Sequence, residues 1–167
     1  ACENNQENIV KYLLEHGANV NKEKLLRIAC ERGFEKIVKY LVEHGVDVTR
    51  KDDECNDYDT PIDIACRKGY EHIVIYLIEH GADVNHYNAD GDTPLSMACI
   101  KENENIVKYL VEHGADVNRD INSYRCNYYI PLTIACKIGN ENIIKIKILN
   151  DDRTSPRNWC KQSRGLV

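Results

Sequence analysis

Apolar side chains recur along the chain in short bursts with the same internal spacing. Between Asn105 and Gly114 they stand at Ile106, Val107, Leu110 and Val111, one stripe of a helix with about 3.6 residues per turn. His113 falls in the last turn, where a cation suits the helix dipole, and Gly114 is placed to take a left-handed C-cap. Upstream, Leu95, Met97, Ala98 and Ile100 mark a shorter apolar helix. It is entered through an Asp90-Gly91 turn, with Thr93 as N-cap and Pro94 at the first helical position. The pattern predicts turn, helix, turn, helix, turn. Neither helix is long enough to persist alone in water, so stacking against neighbours must bury both stripes.

The same module returns along the chain. Ile9–Gly17 is matched by Ile37–Gly45, Ile73–Gly81 and Ile106–Gly114, and each copy follows an Ala-Cys pair, at Cys2, Cys30, Cys66 and Cys99. His follows Cys by 14 residues every time, and a fifth Ala-Cys at Cys136 opens a last copy with a degenerate end. The stretch from His to the next Cys varies instead: 14, 22, 19 and 23 residues. A fixed module with an elastic connector is what stacked units produce, because core helices cannot change length while surface loops can.

Thr93-Pro94-Leu95, the small residue pair, the second amphipathic helix and Gly114-Ala-Asp-Val-Asn118 together resemble the ankyrin repeat. The step of 33 residues from Thr60 to Thr93 matches that family's period. The resemblance covers residues 1–150 and implies an all-α solenoid of about five units: an incomplete first, three recognisable ones and a degraded fifth. Residues 151–167 are left as a tail or cap. The copy around Lys22–Cys30 lacks Thr-Pro, which predicts a trimmed or absent hairpin, and Ile130-Pro131 lacks the cap hydroxyl. The family's His after Thr-Pro-Leu is replaced by Asp63, Ser96 or Thr133. The chain opens inside a first helix, at Ala1-Cys2, which predicts a longer array. In the last unit Lys147 and Asn150-Asp151 stand where Leu and His-Gly are expected, the polar outer face a terminal unit requires.

Charge narrows the function. A net charge of −5 argues against generic binding to nucleic acid or an anionic membrane, and no apolar run approaches the roughly 20 residues of a membrane span. The repeats carry 18 basic against 25 acidic residues, and the tail four basic against two acidic. Five of the eight cysteines share one repeat position. Equivalent helices lie about 8–10 Å apart, too far for disulfides, which need Cα atoms within about 7 Å. They are expected to be small buried hydrophobes in a reducing, intracellular and chiefly cytoplasmic setting, and Cys55, Cys126 and Cys160 to be free thiols.

Candidate chemistry is sparse. His16, His44, His80 and His113 recur at the repeat spacing, so they cannot converge on one metal ion; each is expected to satisfy helix C-terminal carbonyls. His72 and His86 stand singly and read as surface residues. No nucleophile elbow, phosphate loop, dinucleotide fingerprint or zinc-helix motif occurs. Asp52, Asp53, Glu54, Asp57 and Asp59 cluster in a connector, which is a poor place to hold a catalytic carboxyl pair. Lys11, Lys39 and Lys108 each have Glu four residues on, which balances them, and Tyr12, Tyr40, Tyr76 and Tyr109 are fixed on the second helix as packing residues.

What remains is the surface outside the core. In ankyrin proteins the hairpin tips and the groove-facing side of the first helix form the partner site, so the resemblance implies a non-enzymatic protein-interaction module. The candidate tips are Asp53, Asp57, Tyr58 and Asp59; Tyr87, Asp90 and Asp92; and Tyr124, Arg125, Tyr128 and Tyr129. Tyrosine offers rigid amphipathic contact area and arginine a common anchor. Arg67, Lys68, Lys101 and Lys137 are the candidate groove residues, with Arg32 on the same line. No cofactor, metal, small-molecule substrate or nucleic acid is expected, and the chain is expected to be monomeric. The alternatives are a hydrolase or transferase using Asp57, Asp59 or Cys126, or a spacer segment of a larger enzyme. The resemblance also implies a weaker possibility, that Asn85 and Asn118 sit at the position some ankyrin proteins offer to an asparaginyl hydroxylase.

Overall fold

The computed structural model describes residues 2–17, 21–50, 59–88, 90–117 and 141–142, with side chains from residue 8 onward. Among the described residues seven helices follow one another: α1 (Cys2–Glu15), α2 (Lys22–Arg32), α3 (Glu35–Glu43), α4 (Pro61–Lys68), α5 (Glu71–Glu79), α6 (Pro94–Ile100) and α7 (Glu104–Glu112). No strand occurs among the described residues. The pairs α2–α3, α4–α5 and α6–α7 are antiparallel hairpins, and they stack in chain order. First helices pack on first helices, α2 on α4 on α6, and second helices on second helices, α1 on α3 on α5 on α7.

Local chemistry sets the helix ends. Asn21 starts α2 by accepting from the Lys24 amide at 2.9 Å, a cap that stands in for the missing Thr-Pro. Thr93 and Ser96 make a reciprocal box at α6: the Thr93 amide donates to the Ser96 hydroxyl at 2.9 Å, and the Ser96 amide to the Thr93 hydroxyl at 3.2 Å. At α4 the same place is held by Asp63, whose carboxylate accepts from both the amide (2.8 Å) and the hydroxyl (2.7 Å) of Thr60. Gly33 and Gly69 end α2 and α4 in the left-handed conformation. At Gly33 the absence of a side chain also has a packing reason, since a Cβ there would come within 2.8 Å of the Tyr70 ring.

The core is one cluster written in repeats. Leu26, Ile62 and Leu95 fill one position, Val38, Val74 and Val107 a second, and Leu41, Leu77 and Leu110 a third, all buried. Cys30, Cys66 and Cys99 are buried free thiols, as their spacing predicts. Burial pushes the Cys30 and Cys99 thiols up to about 12 and raises Cys66 well above the ordinary thiol range, so none is a reactive thiolate at neutral pH.

One expectation fails at the start of the chain. Cys2 was placed in a first helix, distinct from the second helix that holds Ile9. Instead α1 runs unbroken from Cys2 to Glu15. Asn5 occupies the position of Gly33 and Gly69. The remaining units show that glycine is not strictly required: Glu102 turns the chain at φ +55°.

Candidate functional site

The surface that the sequence singles out is built on the connectors. That between α5 and α6 is described almost throughout, and its order comes from side-chain to backbone bonds. Asp83 accepts from the Asn85 amide at 2.8 Å. Asn85 then bridges to the next unit: its amide group donates to the Gly114 carbonyl at 3.0 Å, and its oxygen accepts from the Asp116 amide at 2.8 Å. Asn88, nearly buried, accepts from the amides of Asp90 (3.0 Å) and Asp92 (2.8 Å). Gly91 closes the turn at φ +82°. The expected Asp90-Gly91 turn is present, and Asn88 is the residue that organises it.

His86 corrects the sequence-based expectation of a lone surface histidine. Only 16% of its side chain is exposed, and its Nδ1 lies 2.8 Å from an Asp63 carboxylate oxygen on the preceding first helix. The nitrogen is off a good hydrogen-bond line, so the attraction is chiefly charge on charge when the ring is protonated. Asp63, wholly buried, is thus met by Thr60 from its own helix and by His86 from the next connector. The position looked unremarkable because nothing in the chain's one-dimensional order links residue 63 with residue 86.

Asp59 requires a second correction. Expected at a tip, it is 2% exposed and ion-paired with Arg67 from the far end of α4. It presents no open carboxylate at the surface. Asp92 is half-buried, with burial and the neighbouring Asp90 charge holding its carboxyl above the usual range. Of the remaining candidates, Asp90, Lys68 and Lys101 are exposed, Arg67 is exposed on one side, and Tyr87 is half-buried. Asp53, Asp57, Tyr58, Tyr124, Arg125, Tyr128, Tyr129 and Lys137 lie outside the described residues, as do Cys55, Cys126, Cys160 and Asn118.

The outer row of second helices holds features that sequence reasoning passed over. Each repeated Tyr lies against the His four residues later, stacked in three pairs and tilted in Tyr76–His80, with ring centroids 3.9 Å apart for Tyr12–His16 and 4.0 Å for the other three pairs. Every one of these His Nδ1 atoms lies 2.7 to 2.8 Å from the carbonyl of the same Tyr. A carbonyl can only accept, so Nδ1 carries the proton and the expectation of carbonyl satisfaction holds. Lys11 reaches over the Tyr40 ring at 5.4 Å and Lys39 over the Tyr76 ring at 5.6 Å, linking successive units. In the third copy Ile75 replaces this Lys, and Tyr109 instead meets Glu79; burial and that carboxylate raise its hydroxyl pKa. Lys39 pairs backward with Glu35 at 2.6 Å rather than forward with the Glu four residues on. The signal was in the sequence, as Lys-Tyr with His four residues on.

No group of three or more metal-ligating side chains comes together among the described residues, and no described helix is long and apolar enough to cross a membrane. A family model for ankyrin repeats (three copies) matches residues 1–52 and again residues 49–121. The chain belongs to the ankyrin repeat family. Comparison with curated proteins returns no significant match. Ankyrin repeats are in general protein–protein interaction modules and are typically non-enzymatic.

Proposed function

We propose that this array is a non-enzymatic binding module that engages a partner protein through its connector tips and the concave groove along the first helices. The observation that carries the reading is the pre-ordered α5–α6 connector. Asn85, His86 and Asn88 fix its backbone, while Tyr87 and Asp90 stand at its edge, and Lys68 and Lys101 end the neighbouring first helices. A surface ordered before contact loses less conformational entropy on binding. Alternating acid and base suits a partner segment of mixed charge, with charge complementarity setting register and association rate. Arg67, held by Asp59, and the half-buried Asp92 frame this patch. Tyr58, Tyr124 and Arg125 join it on sequence grounds.

The module acts as a monomer, without cofactor, metal or nucleic acid, inside the cell. The net charge and the repeated free cysteines support that setting. Capture of partners from extract by the intact chain is compared with capture by a chain carrying alanines at Tyr58, Tyr87, Tyr124 and Arg125. Loss of a specific partner is expected; equal recovery places the binding face elsewhere.

A further inference from the structure

Along the first helices the cations fall on one line. Arg32 and Lys68 stand in the last turns of α2 and α4, and Lys101 caps the end of α6. All three are exposed, and among the described residues none of them is in an ion pair. The second helices differ: Lys39 is paired with Glu35 at 2.6 Å and Lys108 with Glu112 at 3.9 Å. A helix C-terminus favours a cation, which accounts for each placement singly. Repeated over successive units without balancing acids, the same placement leaves a basic strip along the stack of a chain whose net charge is −5.

One residue earlier the units diverge. Glu31 is turned to Arg27 at 3.2 Å on its own helix, and Arg67 to Asp59 with 43% of its side chain still exposed. At this position α6 carries Ile100, 49% exposed. The strip therefore ends beside an apolar side chain with half its surface in water. Its spacing is also defined. α4 packs on α2 and α6 on α4, and packed helices lie about 8–10 Å apart. A polyproline II segment advances ~3.1 Å per residue and repeats about every three residues, or about 9 Å. Side chains at every third position of such a segment keep step with the units.

We propose that the groove along α2, α4 and α6 takes an extended acidic segment of the partner, with Asp or Glu at every third position and a large apolar residue after the last. The acids meet Arg32, Lys68 and Lys101 in turn, and the apolar residue covers Ile100. An apolar group beside the last cation favours a peptide over a phosphate backbone. The inference rests on the binding-module reading above and supplies the chemistry of the segment that the groove takes.

The test uses the full chain and a labelled peptide, Glu-Pro-Pro-Glu-Pro-Pro-Glu-Leu, read by fluorescence anisotropy. Saturable binding is expected, stronger at lower salt and weakened about tenfold by K68E. I100S should weaken the Leu peptide severalfold and leave a peptide ending in Ser unchanged, a coupling that a general loss of fold does not produce. Both positions are exposed, so circular dichroism should show both variants folded. A peptide of the same composition with its acids adjacent should bind more weakly. Equal affinity for that peptide, no saturable binding, or tighter binding of a single-stranded oligonucleotide overturns the proposal. Capture of partners from extract is run in parallel. If the intact chain captures a partner while the peptide fails, the acidic-segment inference falls and the binding-module reading stands. A chain that captures nothing removes that reading, and the inference with it.

Discussion

Leu13, Leu41, Leu77 and Leu110 occupy one position of the repeat, so truncating them compares the same chemistry in different surroundings. Leu77 is fully buried between α4 and its neighbouring second helices, and Leu13 is 51% exposed. For L77A the lost transfer energy is joined by the cost of an unfilled cavity, together about 3–4 kcal/mol for a fully buried leucine. At Leu13 half of the surface already faces water and no closed cavity forms, so L13A should cost about 1 kcal/mol or less. Urea denaturation followed by far-ultraviolet circular dichroism reads the difference as a shift in midpoint. Because each unit contacts only its neighbours, L77A should also weaken coupling along the stack and broaden the transition, which L13A should not. Equal losses at the two positions would refute the reasoning, for they would mean that α1 is covered as the inner helices are.

Other consequences follow from single contacts. G33A forces a side chain onto φ +73° and against the Tyr70 ring, and should cost about 2 kcal/mol or more in thermal unfolding; G114A, at φ +88° in open space, should cost about 1 kcal/mol. H86A removes the cross-connector partner of buried Asp63 and should lower the midpoint of thermal unfolding, with faster amide hydrogen exchange at Asp90 and Asp92. The raised Asp92 carboxyl means that folding favours its protonated form, so its charge destabilises at neutral pH and the penalty fades as pH falls through the folded value. D92N should therefore raise the midpoint at pH 7 and lose that advantage in acid; an increase that persists at pH 3 would contradict the assignment. Cys30, Cys66 and Cys99 should resist a thiol reagent in the native chain and react once it is denatured.

The framework was legible because each of its determinants is local. Thr93-Pro94 announces a helix start, Gly114 a helix end, and the spacing of Ile106, Val107, Leu110 and Val111 the buried face, all within a few residues. The burial of Cys30, Cys66 and Cys99 followed from spacing alone. The pairings that shape the surface are not local. Asp59 looked like a tip residue until α4 carried Arg67 back beside it, and His86 looked solitary until the stack set it against Asp63. The continuity of α1 was not legible from its sequence, and Glu102 adopts the left-handed conformation without being glycine. The Lys-Tyr-His ladder was visible as a repeated string, but its cation–ring contacts join different units, and nothing in one copy reveals them.

The central claim is that partners meet the connector tips and the groove of first helices rather than the outer row of second helices. Photo-crosslinking side chains installed singly at positions 87, 90 and 101, and for comparison at 44, 80 and 113, test it in cell extract. The account predicts that the first set crosslinks to a common partner protein and the second does not. Crosslinks from positions 44, 80 and 113, with silence at 87, 90 and 101, would contradict it.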